Sequence, residues 1–480
     1  MTIPRSRTAI AGFAIVALAA VPCLRSQSLP SNADQRFAGK LTSCTVPGVE
    51  EKVLCGHYDV FEDRVARRGR TIALNIVLLP ATTDSVLRDP LVFLAGGGVV
   101  PATRYARMFA SAMPRLRRNR DVLLVDQRGS GGSNGLACDR GAMDGATSLD
   151  REARYLQLIA RCRDALASRA DVRFYTTTPA MDDLDDVREW LGFPTLNLFG
   201  VSYGTSAAQV YVRQHPTRVR TIVAHGLVPL DAPMAVDLAR SAQQSLDALL
   251  TLCRRDARCH AAFPDLDAEA SRVMAPSSLS ESRLARAAVN DLLASAATMR
   301  EIPRVIHGLA RGDSSVLAPP EPPPGAGGAG AAPPPPAGPP LGVRLAILCS
   351  EGLGRIDTAS IATRTANTFL GDFPVRYQMR WCEGWPRVGL PVSFWSPVVS
   401  DTPILLLNGE LDAITPPAYA RHVAAGFARS QIVLLANQSH DERSPCIFGM
   451  AESFVIGGGH SKIDASCAAR TPPIEFATTR

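Results

Sequence analysis

The apolar run at residues 9–21 falls short of the ~20 residues that a membrane-spanning helix needs. Charge of one sign is also missing: 51 basic residues face 45 acidic ones, for a net charge of +6 spread along the chain. The densest basic clusters, at 115–120 and 254–258, lie on no stripe with interleaved aromatics. That argues against a nucleic-acid partner and for ordinary solvated faces. No pair of C-x2-C units occurs, which removes the common zinc patterns. No Walker motif occurs, and the glycines at 96–98 lack the G-x-G-x-x-G spacing and ribose-binding acid of a dinucleotide site. No metal and no cofactor are therefore expected.

What is present describes a large globular protein. Hydrophobic residues make up 46% and charged residues 20%, enough to build an ample core. A length of 480 residues suggests two or three structural units. At the N-terminus, Arg5 and Arg7 precede the apolar run, and Ala17, Ala19 and Ala20 stand near its end. A charged start, a short apolar stretch and a small-residue exit make a secretory signal peptide, placed at residues 1–27. Pro22 immediately before Cys23 fits a lipidation site poorly, so export without stable membrane insertion is the expectation, to the periplasm or beyond. Removal of Cys23 with the leader leaves ten cysteines. They fall in neighbouring pairs: Cys44 and Cys55, Cys138 and Cys162, Cys253 and Cys259, Cys349 and Cys382, Cys446 and Cys467. An oxidising compartment favours disulfides, and pairing between neighbours is the economical arrangement.

Along the chain, residues 56–63 and 71–79 alternate as an antiparallel pair would. Largely apolar runs follow at 91–94, 121–125, 196–199, 221–224, 404–407 and 432–435. Strands buried on both faces have this composition. Helical patterns lie between them, as at 151–170 and 181–191, which gives a βαβ rhythm and a mostly parallel sheet. The rhythm stops after residue 224 and resumes near 403. The intervening stretch is mainly helical in pattern, at 236–253 and 280–300, and is large enough to form its own subdomain. Within it, residues 318–340 are so rich in proline and glycine that they form no packed core and read as a spacer.

One motif carries chemistry. The run 196–199 leads into Gly200-Val201-Ser202-Tyr203-Gly204, followed by a helical pattern at 205–214. G-x-S-x-G between a strand and a helix is the nucleophile elbow of α/β-hydrolases, which lifts a serine hydroxyl to the top of the sheet. The helix start beside it favours developing negative charge. Serine needs a base, and the base needs an orienting acid; in this fold they follow in the order serine, acid, histidine. Asp412 lies just beyond the run 404–407, with Glu410 as the alternative acid. His440 lies just beyond the run 432–435, whereas His422 falls in the intervening helix and His460 in a glycine-rich tail. Gly96-Gly97-Gly98 follows the run 91–94, so an N–H near Gly97 and that of Tyr203 are candidates for an oxyanion hole.

These features together make the chain similar to the exported tripeptidyl aminopeptidase and proline iminopeptidase group of α/β-hydrolases, from about Cys44 to Cys467. The resemblance rests on CGHYDVFEDR at 55–64, DVLLVDQRGSGGSN at 121–134, GVSYGT at 200–205, HPTRVRTIV at 215–223 and GELDAITPP at 409–417. The segments around Cys349-Ser350-Glu351 and from Cys382 through Trp385-Pro386 resemble that group's cap and cap exit. Two departures stand near the site entrance. Gly-Gly-Gly-Val-Val replaces the usual Gly-Gly-Pro-Gly turn, and His225 replaces the usual acid after the run 221–224.

The resemblance implies an α/β-hydrolase core at 40–228 plus 398–480. It also implies a helical cap at 229–397, inserted between the sixth and seventh core strands. It further implies removal of one to three residues from the N-terminal end of a short peptide. A free ammonium then needs a carboxylate facing the pocket, and Glu351 is the candidate. A carboxylesterase acting on small esters shares the triad without needing that partner. A catalytically silent binding protein on the same scaffold is the third reading.

Overall fold

The computed structural model describes residues 33–97, 99–139, 151–275, 280–317, 340–440 and 444–478. The expected signal peptide and Cys23 lie outside the described residues, as do Gly98 and all of the 318–340 spacer except its last residue. Nine strands form one sheet: β1 Thr42–Cys44, β2 Val53–Phe61, β3 Thr71–Leu79, β4 Leu91–Leu94, β5 Val122–Val125, β6 Leu196–Val201, β7 Val219–His225, β8 Ile404–Gly409 and β9 Ser430–Leu435. Their order is β1-β2-β3-β5-β4-β6-β7-β8-β9. The first three pairings in that order are antiparallel. The remaining five are parallel.

Burial along β3 shows how the sheet grades from edge to centre. Thr71 and Ala73 are exposed while Ile72 and Leu74 are buried. From Ile76 onward every residue is buried, and Ile76 is where pairing with β5 begins. Strands β4 and β8 are buried throughout, as expected where helices cover both faces. The strand expected at 56–63 instead runs from Val53 to Phe61, because Asp63 opens a turn: its Oδ1 accepts the Val65 and Ala66 N–H groups. The short edge strand β1 has no counterpart in the sequence reading. Three residues are too few to show periodicity, and β1 is placed by pairing with β2 and by the Cys44–Cys55 disulfide.

The helix expected at 181–191 begins earlier and spans Thr177–Leu191. Its threonines are weak helix formers, but Pro179 is tolerated in a first turn, where its missing N–H costs nothing. Gly192 ends it in the left-handed conformation at φ 81°. Between β7 and β8, the sixth and seventh of the expected strands before β1 is added, the described residues are mainly helical, with the longest helix at Met234–Arg255. These helices share an apolar cluster that includes Leu246, Leu249, Val289 and Ile306. Ile474 and Phe476, near the C-terminus, fold back into the same cluster. The helix Leu341–Ile347 belongs elsewhere: Leu341, Val343 and Leu345 pack into the main core beside Leu158 and Leu166 of the helix Arg151–Leu166. Disulfides join Cys44 to Cys55, Cys138 to Cys162, Cys253 to Cys259, Cys349 to Cys382 and Cys446 to Cys467. Among the described residues, no helix is long and apolar enough to cross a membrane.

Candidate active site

Strand β6 ends at Val201 and the helix Tyr203–Gln214 starts two residues later. The single residue between them, Ser202, has φ 52° and ψ −121°. Such a conformation costs on the order of 1–3 kcal/mol and persists only where its surroundings enforce it. Close packing explains the flanking glycines. A Cβ at Gly200 would lie 2.5 Å from the Gly204 carbonyl oxygen, and one at Gly204 would lie 1.9 Å from the Leu94 carbonyl oxygen. The Ser202 N–H donates to the His225 carbonyl at 2.9 Å, tying the turn to the end of β7.

The turns after β8 and β9 bring two more side chains to this point. His440 Nε2 lies 3.0 Å from Ser202 Oγ, and His440 Nδ1 lies 2.9 Å from Asp412 Oδ2. Asp412 is buried and fully engaged. Its Oδ1 accepts the N–H groups of Ile414 and Thr415, and its Oδ2 also accepts the Thr415 hydroxyl at 2.7 Å. Burial opposes the Asp412 charge. The attraction of His440 and the bonds from His440 and Thr415 outweigh it and hold the carboxyl below its ordinary range. The alternatives stand apart. Glu410 is exposed, His422 pairs with Asp231, and His460 is exposed. In this line a proton can pass from the serine hydroxyl to Nε2 while Asp412 fixes the ring through Nδ1. Thr415 went unremarked in the sequence, although it lies within the GELDAITPP segment.

Ser202 and His440 open onto a cavity of about 670 Å³. That size suits a small molecule or a short peptide. Phe199, Phe394, Trp395, Phe448 and Met108 give it a largely apolar wall, and Gly97, Tyr203 and His225 also line it. Tyr203 is the first residue of its helix, so its N–H has no acceptor within the helix. Gly97 has φ 68°, and Val99 beyond it holds φ 76°, a costly value for a β-branched residue.

Glu351 reaches the same cavity from a π-helical turn, Leu348–Gly352, which continues the helix Leu341–Ile347. Single π turns mark irregularities that are often functional. The carboxylate meets the start of the helix Thr177–Leu191: Oε1 accepts the Thr177 N–H at 2.6 Å and Oε2 accepts the Thr177 hydroxyl at 2.7 Å. Trp395 Nε1 donates to the Glu351 carbonyl at 2.9 Å, and the Cys349–Cys382 disulfide holds the turn from the other side. Among the described residues no lysine or arginine pairs with Glu351. Burial pushes its carboxyl up to about 7, against the pull of the two Thr177 bonds.

The DQRGSGGS segment supports this site from behind. Arg128 is fully buried and grips Asp183 with two bonds, at 2.6 and 2.7 Å. It also donates to the carbonyls of Glu62 and Phe174, each at 2.9 Å. Asp183 lies on the helix that begins at Thr177, so this buried pair fixes the helix start that Glu351 meets.

A parallel sheet with a serine elbow, and with histidine and aspartate on the turns after its last strands, defines an α/β-hydrolase, and the chain has that fold. The family model for the alpha/beta hydrolase fold matches residues 89–295, and the model described as TAP-like protein matches residues 369–467. Ser202 falls in the first, Asp412 and His440 in the second, and Glu351 in neither. The chain is 26% identical over 275 residues to serine protease Hip1 of Mycobacterium tuberculosis, covering 52% of each protein. It is 25% identical over 194 residues to the putative hydrolase YuaR of Escherichia coli, covering 39% of this chain and 38% of that one. With proline iminopeptidase of Neisseria gonorrhoeae it shares 28% over 138 residues, or 29% of this chain and 32% of that enzyme. The chain thus spans about half the length, or less, of the curated relatives it matches.

Proposed function

We propose that the protein is an exported serine peptidase that removes short pieces from the N-terminal end of peptides. The observation that carries the catalytic part is the continuous line Ser202 Oγ, His440 Nε2, His440 Nδ1 and Asp412 Oδ2, with links of 3.0 and 2.9 Å. In this reading Ser202 attacks the scissile carbonyl and His440 takes its proton, then returns it to the departing amine. Asp412 orients the imidazole and stabilises its charged form. The N–H groups of Gly97 and Tyr203 receive the oxyanion, a contribution of about 3 kcal/mol for each well-placed donor. The peptidase names among the relatives support the same class.

Glu351 supplies the exopeptidase part. A carboxylate that borders a largely apolar cavity, and that pairs with no lysine or arginine among the described residues, suits the ammonium of a peptide N-terminus. The apolar wall then accommodates the side chains between the amine and the scissile bond. Five disulfides support an oxidising compartment and hence export. Two measurements test the reading. A fluorophosphonate should label Ser202 and no other residue. Peptide anilides with a free N-terminus should react roughly a hundredfold faster than their N-acetylated forms, because blocking the amine leaves the buried carboxylate unpaired. Equal rates on free and blocked peptides would remove the exopeptidase reading and leave the ester reading in its place.

A further inference from the structure

Tyr203 carries a second feature that the catalytic reading does not use. Its hydroxyl lies 2.7 Å from Thr177 Oγ1 and accepts a hydrogen bond from Gln127 Nε2 at 3.0 Å. An ionised carboxylate only accepts, so the single Thr177 hydroxyl proton goes to Glu351 Oε2. Thr177 Oγ1 must then accept from Tyr203. The chain therefore has one direction, from Gln127 through Tyr203 and Thr177 into Glu351. Burial and Glu351 hold the Tyr203 phenol above its ordinary value, so it stays a donor.

The anchor of this chain is the sequence segment most specific to the resemblance and least explained by the triad. Gln127 lies between Asp126 and Arg128. The Asp126 carboxylate accepts the Thr103 N–H and hydroxyl at 3.0 and 3.1 Å, just past the loop that carries Gly97. Arg128 fixes the helix that begins at Thr177. Three consecutive residues thus hold the Gly97 side of the cavity, the Tyr203 ring and the support of Glu351.

We propose that Tyr203 is a positioning residue joining the two ends of the cavity. Its backbone N–H serves the oxyanion, while its hydroxyl, held by Gln127, drives the bonds through Thr177 that keep the Glu351 carboxylate charged and aimed at the substrate amine. The inference rests on Glu351 holding that amine. The titratable and charged side chains sharing the cavity with Glu351 are Arg344 on its own helix, Tyr105 just before the helix Ala106–Ala112, Tyr203 after β6, His225 at the end of β7 and His440 after β9. Removing a donor from the chain destabilises the ionised carboxylate, so its protonation moves to higher pH.

The test compares free-amine and N-acetyl peptide anilides and a small neutral ester on the full protein between about pH 5.5 and 9. Thr177→Val should cut the preference for the free amine by about tenfold, the loss expected when a charged acceptor gives up a donor, and Tyr203→Phe, which leaves that donor in place but unsupported, should cut it by a smaller factor. The loss should enter KM more than kcat. The acid limb of kcat/KM for free-amine peptides should move to higher pH, with that for the ester unmoved. Thr177→Ser, which restores the hydroxyl, should restore both. If Glu351→Gln removes the preference while Tyr203→Phe and Thr177→Val keep it with an unmoved acid limb, the coupling through Tyr203 is overturned and the amine reading stands. If Glu351→Gln itself keeps the preference, the amine reading falls and the coupling with it.

Discussion

The two ends of the cavity are built by opposite means. Ser202, Asp412 and His440 each stand on the turn after a parallel strand, so the register of β6, β8 and β9 within one buried sheet sets their separations. Glu351 stands on a π turn about 150 positions along the chain from Ser202, inside the segment between β7 and β8. Its place depends on a helix start, one tryptophan N–H and one disulfide. The sheet end is positioned by backbone pairing that tolerates no slippage. The Glu351 end is positioned by side chains, each of which can change alone. On the proposed function, reaction chemistry is thus placed on the sheet, and recognition on the part open to variation.

Removing the nucleophile gives the largest expected effect. Ser202→Ala should lower kcat on the order of a millionfold on peptide and ester alike, with the fold retained. Turnover that survives in a clean preparation would detach the chemistry from the sheet end altogether. The buried support of the other end comes next. Arg128→Met removes two bonds to the buried Asp183 and leaves Arg64 as its remaining cation, which should cost up to about 3–5 kcal/mol in urea-unfolding free energy. A loss below about 1 kcal/mol would mean that the helix start is held by other contacts.

The disulfide offers a finer comparison. Replacing both Cys349 and Cys382 by alanine opens a loop of sequence separation 33 and should cost about 3–4 kcal/mol. The same change should raise KM for free-amine peptides while sparing small neutral esters. If both substrates suffer equally, Glu351 is not the group that the disulfide positions.

The smallest effect concerns pH and stability. A Glu351 carboxyl raised from 4.5 to about 7 binds its proton more tightly in the folded than in the unfolded state. The folded state therefore loses stability as pH rises from about 4.5 to 7, and the loss is complete above 7. Glu351→Gln should remove that penalty and stabilise the protein above pH 7, by at most about 3 kcal/mol, with no gain near pH 4. Matched denaturation curves at pH 4 and pH 8 measure it. A gain equal at both pH values would show that the carboxyl is not the source.

Local patterns made some of this molecule legible and left the rest hidden. Strands β4, β6, β8 and β9 stood out as short apolar runs, and the elbow serine is marked by a motif whose glycines are forced by contacts of 2.5 Å or less. Asp412 and His440 were legible as candidates because each directly follows such a run. Thr177 carried no signal, since Thr-Thr-Pro resembles a break more than a helix start. Gln127 and Arg128 were visible only as part of a family-like segment, with no role attached, because their partners lie 76 and 55 positions away.

By itself, then, the sequence determined the sheet's buried strands, the order of serine, acid and histidine, and the pairing of neighbouring cysteines as an economical possibility. Those features depend on residue types within a few positions of one another. Only the tertiary structure decided that Glu351 faces Ser202 across one cavity, and that Thr177 and Tyr203 connect them. It also decided that Leu341–Ile347 joins the main core while Ile474 and Phe476 join the helical insertion. Those contacts bridge residues far apart in the chain, where apolar burial and hydrogen-bond satisfaction select a partner that no local pattern encodes.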